Sequence, residues 1–222
     1  KKVVFLGVGF ETTAPSIAGA IIEAKKKELD NFSVLCTLKT IPATLGVIAS
    51  SPMLKIQGFM LPGHVSVIIG VKPYRFLADK YKIPAVIAGF EAVDILKAVE
   101  TILNMIISGS TSIVNEYKRV VLKNGNRPAL QLINDVFTSC PSSWRGLGVL
   151  PNSGLRISGK YSHFDAEKRF NIPDFTDIKD DPMCKCDKVI MGIIKPYECG
   201  LFKRVCTPQN PKGPCMISSE GS

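Results

Sequence analysis

The fold is decided near the start of the chain by the run Val3-Val4-Phe5-Leu6-Gly7-Val8, which is almost wholly apolar and leads into a glycine. Runs of this length and composition are typical of a strand that is covered on both faces in a parallel sheet. Thr12-Thr13 then provides a helix cap and Pro15 a first-turn proline, and apolar residues recur at helical spacing until about Leu29. The segment therefore predicts a buried strand followed by a helix.

The same alternation continues through the first hundred residues. We expect strands at 32–37, 57–61 and 84–88 and helices at 42–50, 73–81 and 92–107. Strands that alternate with helices indicate a parallel sheet. The prediction is therefore an α/β fold, with a mostly parallel sheet and helices on both of its faces.

Three regions are expected along the chain. Residues 1–110 are predicted to form a Rossmann-like α/β domain, residues 111–180 a helical and glycine-rich connecting region, and residues 181–222 a small loop-rich domain that contains most of the cysteines. Within the connecting region we expect helices at 115–122 and 128–137, a glycine-rich connector at 142–155, a solvated polar segment at 161–170 and a linker at 174–181.

Composition and charge exclude several classes of protein. The net charge is +9, but the basic residues are dispersed and form no stripe interleaved with aromatic residues, so we expect a solvated surface and no nucleic-acid partner. No apolar run is long enough to cross a bilayer, so we expect no membrane association. Only two cysteines lie outside the C-terminal region, which differs from a secreted disulfide scaffold and indicates a cytoplasmic protein.

Five of the seven cysteines lie near the end of the chain, in the pattern Cys184-x-Cys186-x12-Cys199-x6-Cys206-x8-Cys215. Loops rich in proline and glycine can bring several thiolates to one point, so the pattern indicates a metal or redox centre. The two histidines lie far away in the sequence, which disfavours a zinc finger with paired histidines. The pattern favours an iron–sulfur domain, while an all-cysteine zinc site and disulfide or thiol redox chemistry stay open.

Three polar residues follow predicted strands. The sequence Gly-Phe-Glu occurs twice, ending at Glu11 and at Glu91, each time after an apolar strand and before a helix, and His64 follows a third apolar strand. The carboxyl ends of parallel strands form the ligand-binding edge of an α/β sheet, so Glu11, His64 and Glu91 are candidate catalytic residues of one cleft. The alternative is that the two glutamates only stabilise helix N-termini and that the histidine is only hydrogen-bonded.

Six motifs occur in order along the chain: Gly9-Phe10-Glu11-Thr12-Thr13-Ala14-Pro15, Pro62-Gly63-His64-Val65-Ser66, Gly89-Phe90-Glu91, Trp144-Arg145-Gly146-Leu147-Gly148, Phe164-Asp165-Ala166-Glu167, and Cys206-Thr207-Pro208 with Gly213-Pro214-Cys215-Met216. Together they resemble the HypD family of [NiFe]-hydrogenase maturation proteins, and the resemblance covers essentially the whole chain.

The resemblance implies a scaffold that assembles the Fe(CN)2CO group, with a HypC-type chaperone and a HypE-type cyanide donor, before the iron is passed through HypC to the hydrogenase large subunit. It also implies a [4Fe-4S] cluster held by Cys184, Cys199 and Cys206, with Cys186 and Cys215 as a neighbouring redox pair. Glu11, His64 and Glu91 would then line the cleft that faces the iron. Two other functions stay open, an autonomous iron–sulfur or thiol–disulfide oxidoreductase and a structural zinc-binding interaction module.

The sequence departs from the family pattern in two places. Family members are longer at the N-terminus, where they carry a Cys-Gly-Thr-His motif and a Gly-Pro-Gly-Cys-Pro-Val-Cys motif, and neither occurs here. We therefore expect a C-terminal portion that cannot complete assembly alone. The family's last cysteine normally follows Ser-Glu-Gly, whereas Ser219-Glu220-Gly221 is followed here by Ser222. A fourth cluster ligand is then missing, and Cys186 or Cys215 is the expected substitute.

Overall fold

The computed structural model describes residues 1–170, 172 and 181–217. The predicted linker at 174–181 lies outside the described residues except for Asp181, as do Ser219-Glu220-Gly221-Ser222. Within the described ranges the strands form two parallel sheets and one antiparallel sheet, where the sequence predicts a single mostly parallel sheet. None of the helices in these ranges has the length and apolar character that a membrane crossing requires.

The first sheet contains the strand that opens the chain. β1 (Val3–Gly9) pairs in parallel with β2 (Phe32–Leu38), residue for residue over seven positions. α1 (Ala14–Lys26) connects the two strands, and α2 (Ile41–Ser50) follows β2. All four elements confirm the prediction. α1 buries one face at helical spacing, through Ala14, Ile17, Ala18, Ile21 and Ala24.

The second sheet contains three short parallel strands, in the order β3 (Phe59–Pro62), β4 (Ala85–Ala88) and β5 (Ile113–Asn115). β4 lies in the middle and is wholly buried. The connections are helical, as predicted: α3 (Gly63–Ile69), a 3-10 turn at Lys72–Tyr74 and α4 (Arg75–Asp79) lead from β3 to β4, and α5 (Ala92–Ser108) leads from β4 to β5.

Two elements of these sheets expose large apolar surfaces. On β1, five apolar side chains are between 48% and 58% exposed: Val3, Val4, Phe5, Leu6 and Val8. On α5, Val93, Leu96 and Ile107 are between 69% and 83% exposed. The prediction that the first strand is covered on both faces is therefore wrong for the described residues, because the exposed side chains of β1 alternate between its two faces.

The segment after β5 is a turn, so the helix predicted at 115–122 is wrong. Asn115 provides the physical reason. Its Nδ2 donates to the carbonyl oxygen of Val121 at 2.9 Å, and its Oδ1 accepts from the N–H of Tyr117 at 3.0 Å. Such side-chain bonds compete with the backbone bonds of a helix. The turn places Tyr117 and Arg119 just beyond the carboxyl end of β5.

The predicted glycine-rich connector is instead a β-hairpin. After α6 (Arg127–Val136), which confirms a predicted helix, β6 (Phe137–Trp144) and β7 (Gly148–Ile157) pair in antiparallel fashion. The hairpin adjoins β2 through a bridge between Lys39 and Gly154. It therefore extends the layer that begins with the first sheet.

The hairpin is hard to recognise because its sequence is unlike that of most strands. β6 contains Pro141 and three serines, residue types that fit a sheet poorly. The turn depends on Gly146 and Gly148, whose φ angles of +79° and +77° lie in the left-handed region that glycine adopts readily. These strands are defined by their pairing across the turn, and no local periodicity in the sequence indicates that pairing.

The predicted solvated segment at 161–170 is buried in part. It forms a 3-10 helix at Gly159–Phe164 and α7 (Ala166–Arg169). Tyr161 and Phe164 are each 4% exposed and join the core formed with α1, β2 and α6. Asp165 is 6% exposed, and its Oδ1 caps α7 by accepting the N–H of Glu167 at 3.1 Å. The prediction of a solvated segment is therefore right for His163, Glu167 and Lys168, which are exposed, and wrong for Asp165 and these two aromatic residues.

Residues 181–217, the cysteine-rich segment, have little regular structure. They include α8 (Cys186–Ile190) and two 3-10 turns, at Pro196–Glu198 and Pro214–Met216. Cysteines are part of its small core, which contains Cys184, Cys199, Leu201, Phe202, Cys206 and Met216. Hydrogen bonds dock the segment on the rest of the chain. The backbone N–H of Lys55 donates to the carbonyl of Met191 at 3.0 Å, and the guanidinium of Arg145 donates to the carbonyl of Lys212 at 3.1 Å.

Candidate functional site

The cysteines of the C-terminal segment converge on one pocket. All five line it, together with the apolar side chains of Val189, Pro196, Leu201, Phe202 and Met216. The spacing of these cysteines along the chain is irregular, so loops and short turns, not a single helix face, bring them together. An apolar pocket lined by several sulfur atoms is a setting for thiol or metal chemistry.

Two of these cysteines form a disulfide. Cys186 and Cys215 are bonded, with their Cα atoms 6.0 Å apart, within the usual range for a disulfide. Cys199 and Cys206 carry free thiols beside it, and Cys184 lines the same pocket. Backbone N–H groups point at two of the sulfur atoms. Lys212 donates to Cys206 Sγ at 3.2 Å, and Cys215 to Cys186 Sγ at 3.4 Å.

Gly213 is required for this arrangement because there is no space for a side chain at its position. A Cβ atom at this position would overlap the sulfur atoms of both Cys184 and Cys186. The glycine backbone thus packs directly on the sulfurs and holds the last loop of the segment against them.

The residues of the pocket match an iron–sulfur cluster in donor type. Cys184, Cys199 and Cys206 are soft sulfur donors around a common apolar space, which is what such clusters require. In the described part of the chain, however, no three His, Cys, Asp or Glu side chains are already arranged to hold a metal ion. The donor set fits a cluster, and the thiols need to rearrange to bind one.

The carboxyl edge of the second sheet brings His64 and Glu91 close together. His64 opens α3 directly after β3, and its ring stacks on that of Phe90, which follows β4, with centroids 3.9 Å apart. Glu91 is exposed and pairs with Arg119 at 3.3 Å between Oε1 and Nη2. Adjacent parallel strands place these residues side by side, as the crevice rule for α/β sheets predicts.

Arg119 also lies at this edge, with contacts that no local pattern in the sequence indicates. Its guanidinium donates two hydrogen bonds to the carboxylate of Asp94, at 2.7 and 2.6 Å, and these bonds hold the pKa of Asp94 below its usual range. The guanidinium also lies 4.6 Å from the ring centroid of Tyr117. Once β5 is recognised as a strand, the same crevice rule places these residues at the edge.

The glycines of two motifs at this edge are explained by packing. A Cβ atom on Gly63 or on Gly89 would approach the ring of Tyr117 to 2.8 Å. One on Gly89 would also overlap the carboxylate of Asp94. Both glycines thus let the loops after β3 and β4 close onto one aromatic ring, which fixes the backbone that presents His64 and Glu91.

Glu11 lies at the end of β1 and is buried, with 5% of its surface exposed. Its Oε1 accepts a hydrogen bond of 3.0 Å from the N–H of Ile41 in the first turn of α2. Its Oε2 has no hydrogen-bond partner among the described residues. No described contact joins Glu11 to His64 or Glu91. Burial raises the pKa of Glu11 to about 7, despite backbone hydrogen bonds that lower it.

The raised pKa of Glu11 predicts a pH-dependent stability. Because the carboxyl titrates at about 7 in the folded protein instead of at 4.5, the folded state binds an extra proton between these pH values. The free energy of unfolding should therefore fall as the pH rises through this window, by up to about 3 kcal/mol. Glu11→Gln should remove this component, as measured by urea unfolding of both proteins at about pH 4 and about pH 8. An unchanged pH dependence in the variant would contradict the assignment.

The Trp144 loop connects the first sheet to the disulfide. Trp144 lies 6.1 Å from Phe10 between ring centroids, and the ammonium of Lys39 lies 5.0 Å above its ring. Two residues further on, a Cβ on Gly146 would lie 3.9 Å from the Cβ of Cys186. Burial lowers the pKa of Lys39. Lys39 is a lone lysine after a strand, and no local pattern in the sequence marks it.

These features define an α/β protein in which a cysteine-rich segment, with its sulfurs around one pocket, docks on the chain after α2 and on the turn of the β6–β7 hairpin. All of residues 1–222 match the HypD family model, described as the Hydrogenase formation hypA family. The chain is 43% identical over 229 residues to the hydrogenase maturation factor HypD of Cupriavidus necator and 41% identical over 223 residues to that of Escherichia coli.

The chain therefore belongs to the HypD family. Each of these alignments covers 100% of this chain and 60% of the relative. The hydrogenase maturation factor HypD of Rhodobacter capsulatus shows the same coverage, at 43% identity. The chain thus spans about 60% of the length of the curated relatives it matches.

Proposed function

We propose that this chain acts in [NiFe]-hydrogenase maturation, as part of a scaffold and redox protein that assembles the Fe(CN)2CO group with a HypC-type chaperone and a HypE-type cyanide donor. Membership of the HypD family supports a role in hydrogenase maturation. The observation that carries the redox role is the placement of the Cys186–Cys215 disulfide in the same pocket as Cys184, Cys199 and Cys206.

In this proposal Cys184, Cys199 and Cys206 hold a [4Fe-4S] cluster, which supplies one-electron chemistry when it is bound. Cys186 and Cys215 exchange between disulfide and dithiol, a change of two electrons and two protons. The backbone N–H groups of Lys212 and Cys215, which point at sulfur atoms, stabilise thiolate forms. The apolar lining limits access of water to these sulfurs.

The sheet edges supply polar groups for the iron cargo and its ligands. His64 is exposed and held in place by stacking on Phe90, so its imidazole can donate or accept a proton at the cleft. Glu91 is exposed and paired with Arg119. Glu11, with a pKa of about 7, can hold a proton at neutral pH. Because its side chain is buried, it acts from inside the loop after β1 and not from the protein surface.

A thiol–disulfide oxidoreductase is the second candidate function. The observation that favours it is again the disulfide, since Cys215 is partly exposed while Cys186 is buried. An autonomous oxidoreductase reduces a disulfide substrate without other maturation proteins, whereas a scaffold does not. Turnover of a small disulfide by the isolated chain distinguishes the two.

A chimera tests the proposed function. This chain replaces the matching region of the longer Escherichia coli relative, and hydrogenase activity is measured in cells that lack their own copy. We expect the chimera to restore activity and Cys186→Ser to reduce that activity by at least about tenfold, because the redox pair is lost. Cys140→Ser is the matched control, since Cys140 lies in β6 away from the pocket, and it should change little. Equal activities for the two variants would contradict the redox role.

A further inference from the structure

The cysteine-rich segment carries an unbalanced positive charge. Residues 181–217 contain six basic and three acidic side chains, a net charge of +3. Five of the basic side chains are exposed, and we call them the basic rim: Lys185, Lys188, Lys195, Lys203 and Arg204. Within the described part of the chain, none of the ion pairs includes a member of the rim.

Every member of the basic rim lies within four residues of a cysteine in the sequence. Lys185 lies between Cys184 and Cys186, and Arg204 lies two residues before Cys206. All five cysteines of this segment line one pocket, so the short chain segments between them keep the rim in its neighbourhood. The rim therefore gives the surface near the disulfide and the thiols a positive charge.

Apolar side chains are exposed among the charges. Met183 is 63% exposed, Tyr197 68% and Val205 52%. Each is a near neighbour in the sequence of a rim residue. The three acidic side chains of the segment, Asp181, Asp187 and Glu198, offset only half of its six basic ones, and Glu198 Oε2 accepts the backbone N–H of Lys195 at 2.6 Å. A surface of this kind fits a partner that is acidic and carries a small apolar patch.

We propose that the basic rim is the docking surface for an acidic one-electron carrier protein. The inference rests on the proposed redox function, because the Cys186–Cys215 disulfide takes up two electrons and two protons when its S–S bond is broken and two thiols form. Two reduced carriers supply the electrons in successive encounters, and solvent supplies the protons. Electrostatic steering gives such short-lived complexes high association rates with a small interface.

The composition of the surface favours a protein over a nucleic acid. Single-stranded nucleic acids bind through several aromatic side chains on which bases stack. Of the aromatic residues in this segment, Tyr197 is exposed and Phe202 is half-buried in the small core. The charges also lie on the segment that contains the redox pocket, where electrons have to be delivered.

The experiment measures binding of flavodoxin, an acidic FMN protein, to the chain by isothermal titration calorimetry. We expect binding that weakens steeply between about 50 mM and about 200 mM salt, since exposed charges are screened. Lys188→Glu with Arg204→Glu should weaken it by at least about tenfold. The matched control, Lys72→Glu with Arg75→Glu, reverses two exposed charges outside the cysteine-rich segment and should change the affinity less than about twofold.

Several results would overturn the inference. Flavodoxin would not bind, or both double variants would weaken flavodoxin binding equally. A single-stranded oligonucleotide or phosphatidylserine vesicles that bind more tightly than flavodoxin would also overturn it. The salt dependence of the unmodified chain keeps the test valid if a variant does not fold. A chimera that matures hydrogenase although the chain does not bind flavodoxin contradicts only this inference. Binding with no maturation contradicts only the proposed function.

Discussion

Replacing Cys206 or Cys199 with alanine is expected to remove most of the iron that the chain takes up on anaerobic reconstitution with iron and sulfide. Both thiols line the common pocket, and Cys206 is 5% exposed within the small core of the segment. Loss of an outer-shell partner of a metal ligand already lowers metal affinity about 10–100-fold, so loss of a ligand thiolate should cost at least about tenfold.

The control for this result is Cys36→Ala. Cys36 lies in β2, where its thiol donates to the carbonyl of Leu155 at 3.2 Å, and burial raises its pKa to about 11. A thiol of this kind is a structural residue and a poor ligand. Iron and labile sulfide per chain should therefore fall only slightly in this variant. Equal iron contents in the Cys36, Cys199 and Cys206 variants would rule out the cluster assignment.

The second large effect is expected for Gly213→Ala, the addition of a single methyl group. Because that group would overlap the sulfur atoms of Cys184 and Cys186, the loop has to move away from the pocket. Overpacking of this type costs about 1–3 kcal/mol in a core, and here it also separates Cys215 from Cys186. We expect a larger number of titratable thiols per chain and a lower unfolding temperature.

Gly200→Ala is the matched control for this change. Gly200 belongs to the same segment, and nothing lies within 4 Å of the Cβ position there. The thiol count and the unfolding temperature of this variant should equal those of the unmodified chain. If Gly213→Ala behaves in the same way, the close packing of glycine on the sulfurs is not needed.

Much of the fold could be predicted from the sequence because its signals are local. The apolar run of β1, the proline in the first turn of α1 and the helical periodicity of α5 depend on residues that are neighbours in the chain. The hairpin of β6 and β7 was missed because its strands are defined by pairing across the turn. The turn after β5 was missed because Asn115 replaces helical bonds with its own side chain.

The candidate site was predictable in part for the same reason. The cysteine spacing indicates a metal or redox centre, and the crevice rule places His64 and Glu91 after adjacent strands. The same rule gives no sign that Glu11 is buried against the first turn of α2, since its burial depends on the packing of several elements. Arg119 and Lys39 likewise acquire their roles only through contacts with residues distant in sequence.

The half-exposed apolar strand β1 has a consequence for the behaviour of the chain in solution. A strand with five exposed apolar side chains and one edge that no described strand pairs is a template on which further strands can add. No charged residue or proline interrupts Val3–Gly9, whereas Lys1 and Lys2 lie directly beside it. Flanking charges of this kind act as gatekeepers against aggregation. For the chain on its own, the segment that starts the fold is thus also the one most prone to self-association, and the two lysines are its protection.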